Sequence, residues 1–203
     1  MPKETFHNLD DTKKQRIMDA SIKEFAYHSY SEVMLSRIIN AAKIPRGSFY
    51  QYFEDKKDLY MYIFTKIAEE KIKYMSNILL NPENKSFLDL FRALYKSGLS
   101  FAINNPDYIR ISKHLMVNRG EIYDELVGDN LDIAKDYYIN WIETDKTLGR
   151  VRQDVDSKLL AEILIDTTTN IAYDEMNTGI EINPDNMLAR LENLLKILQK
   201  GIE

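Results

Sequence analysis

Apolar residues recur at helical spacing along most of this chain, and no stretch sustains the alternation typical of a β-strand. Between positions 35 and 42, for example, Leu35, Ile38, Ile39 and Ala42 fall at i, i+3, i+4 and i+7, as on one face of a helix. Glycine and proline are sparse, with 7 and 5 in 203 residues. The pattern therefore predicts an all-α protein.

Interruptions of this periodicity delimit about nine helices. An asparagine followed by proline, a typical helix start, occurs at Asn105-Pro106 and again at Asn183-Pro184. Three short helices and a long fourth one predict an N-terminal domain over 1–55, joined by that long helix to a helical bundle within 56–203. The predicted helices cover residues 11–28, 35–42, 46–52, 56–80, 86–104, 106–117, 121–146, 157–177 and 184–200.

Charge and composition narrow the class of protein. The net charge is −5, but residues 1–60 carry a net +1 and the remainder −6, so the acidity lies outside the N-terminal domain. The absence of cysteine excludes disulfides and zinc–thiolate sites. No apolar run reaches the ~20 residues that span a bilayer, and the polar residues 1–11 do not resemble a signal peptide. We expect a cytoplasmic protein without membrane contact.

The segment 45–57 combines four aromatic rings with cations near both ends. Together with the helix at 35–42 it has the spacing of a helix-turn-helix, supported by the helix at 11–28. Phe49 and Phe53 are four residues apart and are expected to pack inward against Ile38 and Leu59. Five other residues of this segment are then expected to face outward or sideways; they are Arg46, Ser48, Tyr50, Gln51 and Tyr52.

The chemistry of these positions suits DNA. Arg46, at the start of the short helix, can donate two hydrogen bonds to a guanine edge. Gly47 carries no side chain where a backbone would approach DNA closely. Lys56 lies in the first turn of the next helix, where the helix dipole disfavours a cation by about 0.3–1 kcal/mol unless a phosphate is bound there.

Residues 12–60 resemble the N-terminal domain of the TetR family of bacterial repressors. The matching residues include Ala41-Ala42, Ile44, the run Arg46–Tyr50, Tyr52-Phe53, Asp55-Lys56 and Leu59. The resemblance implies base contacts by Arg46 and Gly47, phosphate contacts by Ser48, Tyr50, Tyr52 and Lys56, and a base or phosphate contact by Gln51. It also implies a homodimer on a palindromic double-stranded DNA operator, because two recognition helices must enter successive major grooves about 34 Å apart.

Three positions depart from the family pattern. The family usually has glycine before the tyrosine at position 30 and in the turn between the two helices, whereas this chain has Ser29 and Lys43. A residue other than glycine in a left-handed turn costs about 1–2 kcal/mol. Met34 replaces the hydroxyl residue that often caps the first of the two helices.

The C-terminal part is expected to mediate dimerisation. Helices 157–177 and 184–200 carry dense apolar stripes. One stripe is expected to pack inside the subunit, and the excess of apolar residues leaves a face for pairing with a second subunit as a four-helix bundle. We therefore predict a homodimer formed through the last two helices.

The middle helices contain side chains with apolar bodies and hydrogen-bonding tips, as in small-molecule pockets. We predict ligand contacts by Tyr108, His114, Tyr137, Trp141 and Tyr173. The resulting hypothesis is a repressor released from its operator by a small lipophilic effector. The alternative is a DNA-binding regulator without a small-molecule effector, controlled by a protein partner or by its own abundance.

Nothing in the sequence predicts a metal or a cofactor. The three histidines lie far apart, and there is no phosphate-binding loop or dinucleotide fingerprint. A helical enzyme using His114 with Asp107, Glu121 or Asp124 is a further hypothesis. No spacing pairs these groups, so we expect no enzyme activity.

Overall fold

A computed structural model describes residues 1–80, 85–118, 120–177 and 182–202, with the side chains of 128–130 and 202 left aside. All regular structure in these ranges is helical, which confirms the all-α prediction. The break predicted between the helices 56–80 and 86–104 contains Asn81-Pro82, which lies outside the described residues. The helices are α1 (Glu4–His7), α2 (Asp11–Tyr27), α3 (Leu35–Ala41), α4 (Arg46–Tyr52), α5 (Lys56–Leu80), α6 (Phe87–Asn104), α7 (Pro106–Val117), α8 (Glu121–Tyr123), α9 (Asp129–Thr147), α10 (Ser157–Asn177) and α11 (Pro184–Ile202).

The observed helices agree closely with the predicted ones, with two differences. The short helix α1 was not predicted, because four residues are too few to give a periodic pattern. A π-helical turn, Asp124–Gly128, interrupts the helix predicted over 121–146. Such a turn adds one residue to the helix and leaves no distinct signature in the apolar spacing.

Contacts divide the chain into two compact units. Unit 1 comprises Met1–Ile72 and Asn105–Leu126, and unit 2 comprises Lys73–Asn104 and Val127–Glu203. This grouping differs from a single boundary after residue 55, because α7 packs against α2 in unit 1. Helix α5 supplies residues to both units.

The core of unit 1 contains the aromatic residues that the sequence placed inside. Phe49, Phe53, Ile38 and Leu59 are all fully buried, as predicted. The rings of Phe49 and Phe53 lie 5.7 Å apart, which anchors α4 through one side only. The opposite side of α4 is thereby turned away from the core.

Unit 2 has an aliphatic and aromatic core formed by α6, α9, α10 and α11. Its largest cluster consists of Phe87, Leu88, Phe91, Ile142, Val151, Leu160, Ala161, Leu164, Leu191 and Leu195. Helix α11 begins at Pro184 as predicted, with the Asn183 carboxamide oxygen accepting from the Asn186 amide at 3.1 Å. The buried Glu175 carboxylate accepts from the Asn183 amide at 2.9 Å, which supports the same helix start.

Candidate nucleic-acid interface

Helices α3 and α4 form a tight helix-turn-helix within unit 1. The turn between them contains Lys43, at a position where the TetR family usually has glycine. The φ of Lys43 is 52°, which is left-handed. A non-glycine residue in this conformation costs about 1–2 kcal/mol. The end of α3 is supported from α2, because the Arg16 Nε donates to the Ala42 carbonyl at 2.8 Å.

The other two departures from the family pattern carry no backbone strain. Ser29 is not among the described residues with a positive φ, so the expected cost at this position is absent. Its hydroxyl donates instead to the Glu32 carboxylate at 2.6 Å, and this bond holds the pKa of Glu32 below its usual value. At Met34, the backbone amide donates to the Glu24 carboxylate at 3.1 Å. A carboxylate from α2 thus supports the start of α3 without a hydroxyl cap.

One face of α4 is open to solvent. Arg46, Gly47, Tyr50 and Gln51 are exposed, and Ser48 is half-buried. A Cβ added at Gly47 would meet no atom within 4 Å. The packing of the protein therefore does not require glycine here. Glycine inside a helix even lowers stability by roughly 0.5–1 kcal/mol relative to alanine.

Tyr52, for which the sequence predicted an outward or sideways orientation, is buried. It is only 5% exposed, because α1 covers it. Its ring lies 6.1 Å from that of Phe6, and the Lys13 ammonium lies 5.6 Å from its centroid. The side chain is therefore mainly part of the core of unit 1.

Lys56 is hydrogen-bonded to the loop that precedes α3. Its ammonium donates to the Tyr30 carbonyl at 2.6 Å and to the Val33 carbonyl at 3.2 Å, and lies 4.5 Å from the centroid of the Tyr30 ring. An ammonium has three N–H donors, so these two bonds leave one further donor. At the same helix start, the Asp55 carboxylate accepts from the Asp58 amide at 2.8 Å and caps α5.

The predicted ligand-binding residues are distributed over both units. Tyr108 and His114 lie on α7 in unit 1, and the His114 Nε2 is 3.2 Å from the Ala26 carbonyl oxygen. Tyr137 and Trp141 lie on α9 in unit 2 with their rings 6.2 Å apart. Tyr173, on α10, is 37% exposed. Among these residues, the described ring contacts bring Tyr137 and Trp141 together.

A further side chain of the middle helices with an apolar body and a hydrogen-bonding tip is Tyr95 on α6. In the described structure its hydroxyl is buried and has no hydrogen-bond partner, and burial raises its pKa. Tyr95 packs against the main core of unit 2 and against a smaller cluster of Leu99, Ile171 and Met187. Periodicity identifies such a tyrosine as a core residue but cannot tell whether its hydroxyl is satisfied.

Within the described residues, no three histidine or carboxylate side chains gather as a metal site would require. The Asp107 carboxylate accepts from Arg110 at 2.6 Å, and the described hydrogen bond of the His114 ring involves a backbone carbonyl. In the part of the chain described here, no helix combines the length and the apolar character needed to span a membrane.

Comparison with known proteins points to one family. Residues 17–63 match the family model for bacterial regulatory proteins of the tetR family. The uncharacterized HTH-type transcriptional regulator YdgC of Bacillus subtilis (strain 168) is 24% identical over 206 residues, covering 93% of this chain and 94% of YdgC. IcaR of Staphylococcus aureus (strain Newman), the negative transcriptional regulator of the biofilm operon icaADBC, is 26% identical over 132 residues, covering 61% of this chain and 66% of IcaR.

The fold agrees with the sequence comparison over the whole chain. The crystal structure of a TetR family transcriptional regulator from Chloroflexus aurantiacus superposes with a TM-score of 0.73 at 26% identity, covering 100% of this chain and 98% of that one. The segment matched by the family model contains α3 and α4, the two helices of the helix-turn-helix. The N-terminal segment therefore matches the tetR family of bacterial regulatory proteins, and the whole chain is similar in fold to a TetR family transcriptional regulator.

Proposed function

We propose that this protein is a sequence-specific DNA-binding repressor that leaves its operator when a small lipophilic ligand binds. The observation that carries the DNA-binding part is the exposed face of α4. It presents an arginine, a tyrosine and a glutamine beside a glycine that the packing of the protein does not require. These groups suit recognition of base edges and phosphates in a major groove.

The residues of this face divide by chemistry. Arg46 and Gly47 face the base edges, with Gln51 at either a base or a phosphate, and Ser48 and Tyr50 bind phosphates. Lys56 adds a phosphate contact through its remaining donor. The resemblance also implies a phosphate contact by Tyr52. Because this side chain is buried under α1, we assign the phosphate contacts mainly to Ser48 and Tyr50. Repression is supported by IcaR, which is named as a negative regulator.

The proposal includes a homodimer formed through α10 and α11. Leu159 and Ile163 on α10 are 53% and 38% exposed, and Ile197 on α11 is 71% exposed. These apolar side chains lie on the two helices whose stripes exceed the needs of one subunit. A second copy of the chain on this surface would supply the second recognition helix that a palindromic operator requires.

Selection of bound fragments from genomic DNA tests both the sequence-specific binding and the homodimer. We expect the recovered fragments to share a palindrome with half-sites about one helical turn apart. With Arg46→Ala, we expect binding to weaken by about 1–3 kcal/mol and the preference to relax at one base pair in each half-site. Arg152→Ala, which removes an exposed arginine of unit 2, is the control. Recovery of fragments without a common sequence would contradict the proposal.

Gly47→Ala is expected to change stability and DNA binding in opposite directions. The methyl group meets no protein atom and favours the helix, so the free energy of unfolding should rise by about 0.5–1 kcal/mol. If DNA lies against this position, affinity should fall at the same time. Gly98→Ala on α6, which also has open space at its Cβ, should stabilise without weakening DNA binding. Thermal unfolding and fluorescence anisotropy measure the two effects, and unchanged affinity for Gly47→Ala would exclude close approach of DNA.

The effector is proposed to bind in unit 2. The partnerless Tyr95 hydroxyl supports this, because a buried unsatisfied donor costs about 1–3 kcal/mol and a ligand acceptor would remove that cost. Tyr137 and Trp141 offer aromatic surface in the same unit. Extraction of the purified protein, with mass spectrometry of the released compounds, identifies candidate effectors. A compound that binds unit 2 and leaves operator affinity unchanged would contradict ligand-controlled release.

A further inference from the structure

The recognition helix α4 is too short to be stable by itself. It has seven residues, whereas isolated helices need about 12–15 to be marginally stable in water. The last carbonyls of any helix have no partner within the helix. In α4 the Phe49 carbonyl accepts from the Phe53 amide at 2.9 Å, so the carbonyls of Tyr50, Gln51 and Tyr52 need donors from elsewhere.

A segment far away in sequence provides these donors. The Lys3 ammonium donates to the Tyr50 carbonyl at 3.0 Å, and the Lys3 amide donates to the Tyr52 carbonyl at 2.8 Å. Between them, the Thr5 hydroxyl donates to the Gln51 carbonyl. All three terminal carbonyls are therefore satisfied by residues 3–5, and the positive ammonium lies at the negative end of the helix dipole.

Phe6 holds this segment in place. It is 2% exposed, and its ring lies 4.9 Å from the ring of Phe53 and 5.6 Å from that of Tyr62. Because Phe6 is at the centre of the short helix α1, its burial fixes the position of Lys3 and Thr5 relative to α4. We name residues 3–6 the capping arm.

We propose that the capping arm is a positioning element of the recognition helix. It orders the C-terminal turn of α4 and thereby raises DNA affinity without itself contacting DNA. The DNA half of this inference rests on the proposed function, whereas the ordering of α4 does not. The two can therefore fail separately.

Lys3→Pro removes two of the three donors in one step. The φ of Lys3 is −71°, which a proline ring accommodates. The substitution deletes the amide and ammonium donors, and the proline ring also takes the place of the hydrogen that points at the Tyr52 carbonyl, so it separates the arm from the end of α4. We expect amide hydrogen exchange at Tyr50, Tyr52 and Phe53 to accelerate by about 5- to 100-fold, since two hydrogen bonds are lost together. Affinity for a duplex from the fragment selection should fall by a similar factor.

Two further variants separate capping from charge. Thr5→Val removes the third donor without changing the net charge, and it should also accelerate exchange in α4 and weaken binding, by a smaller factor. Lys23→Ala removes an exposed lysine from α2 and should leave exchange in α4 unchanged. If Lys3 does not bind a phosphate, the salt dependence of affinity for Lys3→Pro should match that of Lys23→Ala.

Each alternative outcome overturns a defined part of the inference. Unchanged exchange at Tyr50, Tyr52 and Phe53 in both Lys3→Pro and Thr5→Val would show that the arm does not order α4. Weaker binding with unchanged exchange, together with a logarithmic salt slope smaller by about 0.9 than in Lys23→Ala, would show a direct phosphate contact by Lys3 instead. Faster exchange with unchanged affinity would remove the link between the cap and DNA binding.

Discussion

Lys56→Met is expected to lower both the stability of unit 1 and the affinity for every DNA sequence. The substitution removes the ammonium that donates to the Tyr30 and Val33 carbonyls but keeps a side chain of similar length. Hydrogen bonds to charged groups contribute about 1.5–3 kcal/mol each, and Lys56 is only half-buried, so we expect a loss of about 2 kcal/mol in the free energy of unfolding. Urea denaturation followed by circular dichroism measures this loss.

The effect of Lys56→Met on DNA binding shows whether Lys56 contacts a phosphate or only stabilises the loop before α3. Loss of a phosphate contact should weaken specific and random duplexes alike and reduce the logarithmic salt slope by about 0.9. Lys57→Met is the matched control, because the neighbouring lysine pairs with Glu125 at the surface, where ion pairs contribute about 0–1 kcal/mol. A stability loss with an unchanged salt slope would limit Lys56 to holding the loop before α3.

Asp145→Ala is expected to destabilise unit 2 by about 3 kcal/mol, because it removes a buried carboxylate that accepts hydrogen bonds from two groups. Asp145 is 4% exposed; it accepts from the Phe87 amide at 2.7 Å and from the Arg150 guanidinium at 3.2 Å. Phe87 is the first residue of α6, whose amide has no acceptor within the helix. The alanine variant leaves this buried donor unsatisfied and separates α6 from the end of α9.

A matched control for Asp145→Ala exists in the same unit. Asp154 pairs with Arg152 at 3.2 Å, but the two side chains are 76% and 53% exposed. Asp154→Ala should therefore change the free energy of unfolding by less than about 1 kcal/mol. Chemical denaturation of both variants provides the comparison. Equal effects would show that the Asp145 carboxylate is not a structural link between α6 and α9.

Helix positions were predictable because they depend on local spacing. The apolar period, the asparagine–proline starts and the capping Asp55 act within a few residues of one another, and the observed helices begin and end close to the predicted limits. The helix-turn-helix was predictable for the same reason, because its two helices are close together in the chain. Phe49 and Phe53 share one helical face, so their burial leaves the opposite face of α4 exposed.

The environment of individual site residues was not predictable in this way. The spacing that predicted an outward or sideways Tyr52 contained no information about α1, which covers this side chain. Lys56 was recognised as an unusual cation at a helix start, but its acceptors are the carbonyls of Tyr30 and Val33, more than twenty residues earlier. No sequence pattern singled out Asp145, whose burial depends on the approach of α6.

By itself, the sequence determined the all-helical class, the limits of most helices, the resemblance to TetR regulators and the face of α4 available to DNA. These properties follow from periodicity and from short motifs, which operate between residues close together in the chain. Only the tertiary structure decided which units α7 and the arm at residues 3–6 join, which carbonyls Lys56 and Lys3 satisfy, and which carboxylate is buried. Those outcomes depend on the free energy of burying and pairing groups from distant segments, which no local pattern records.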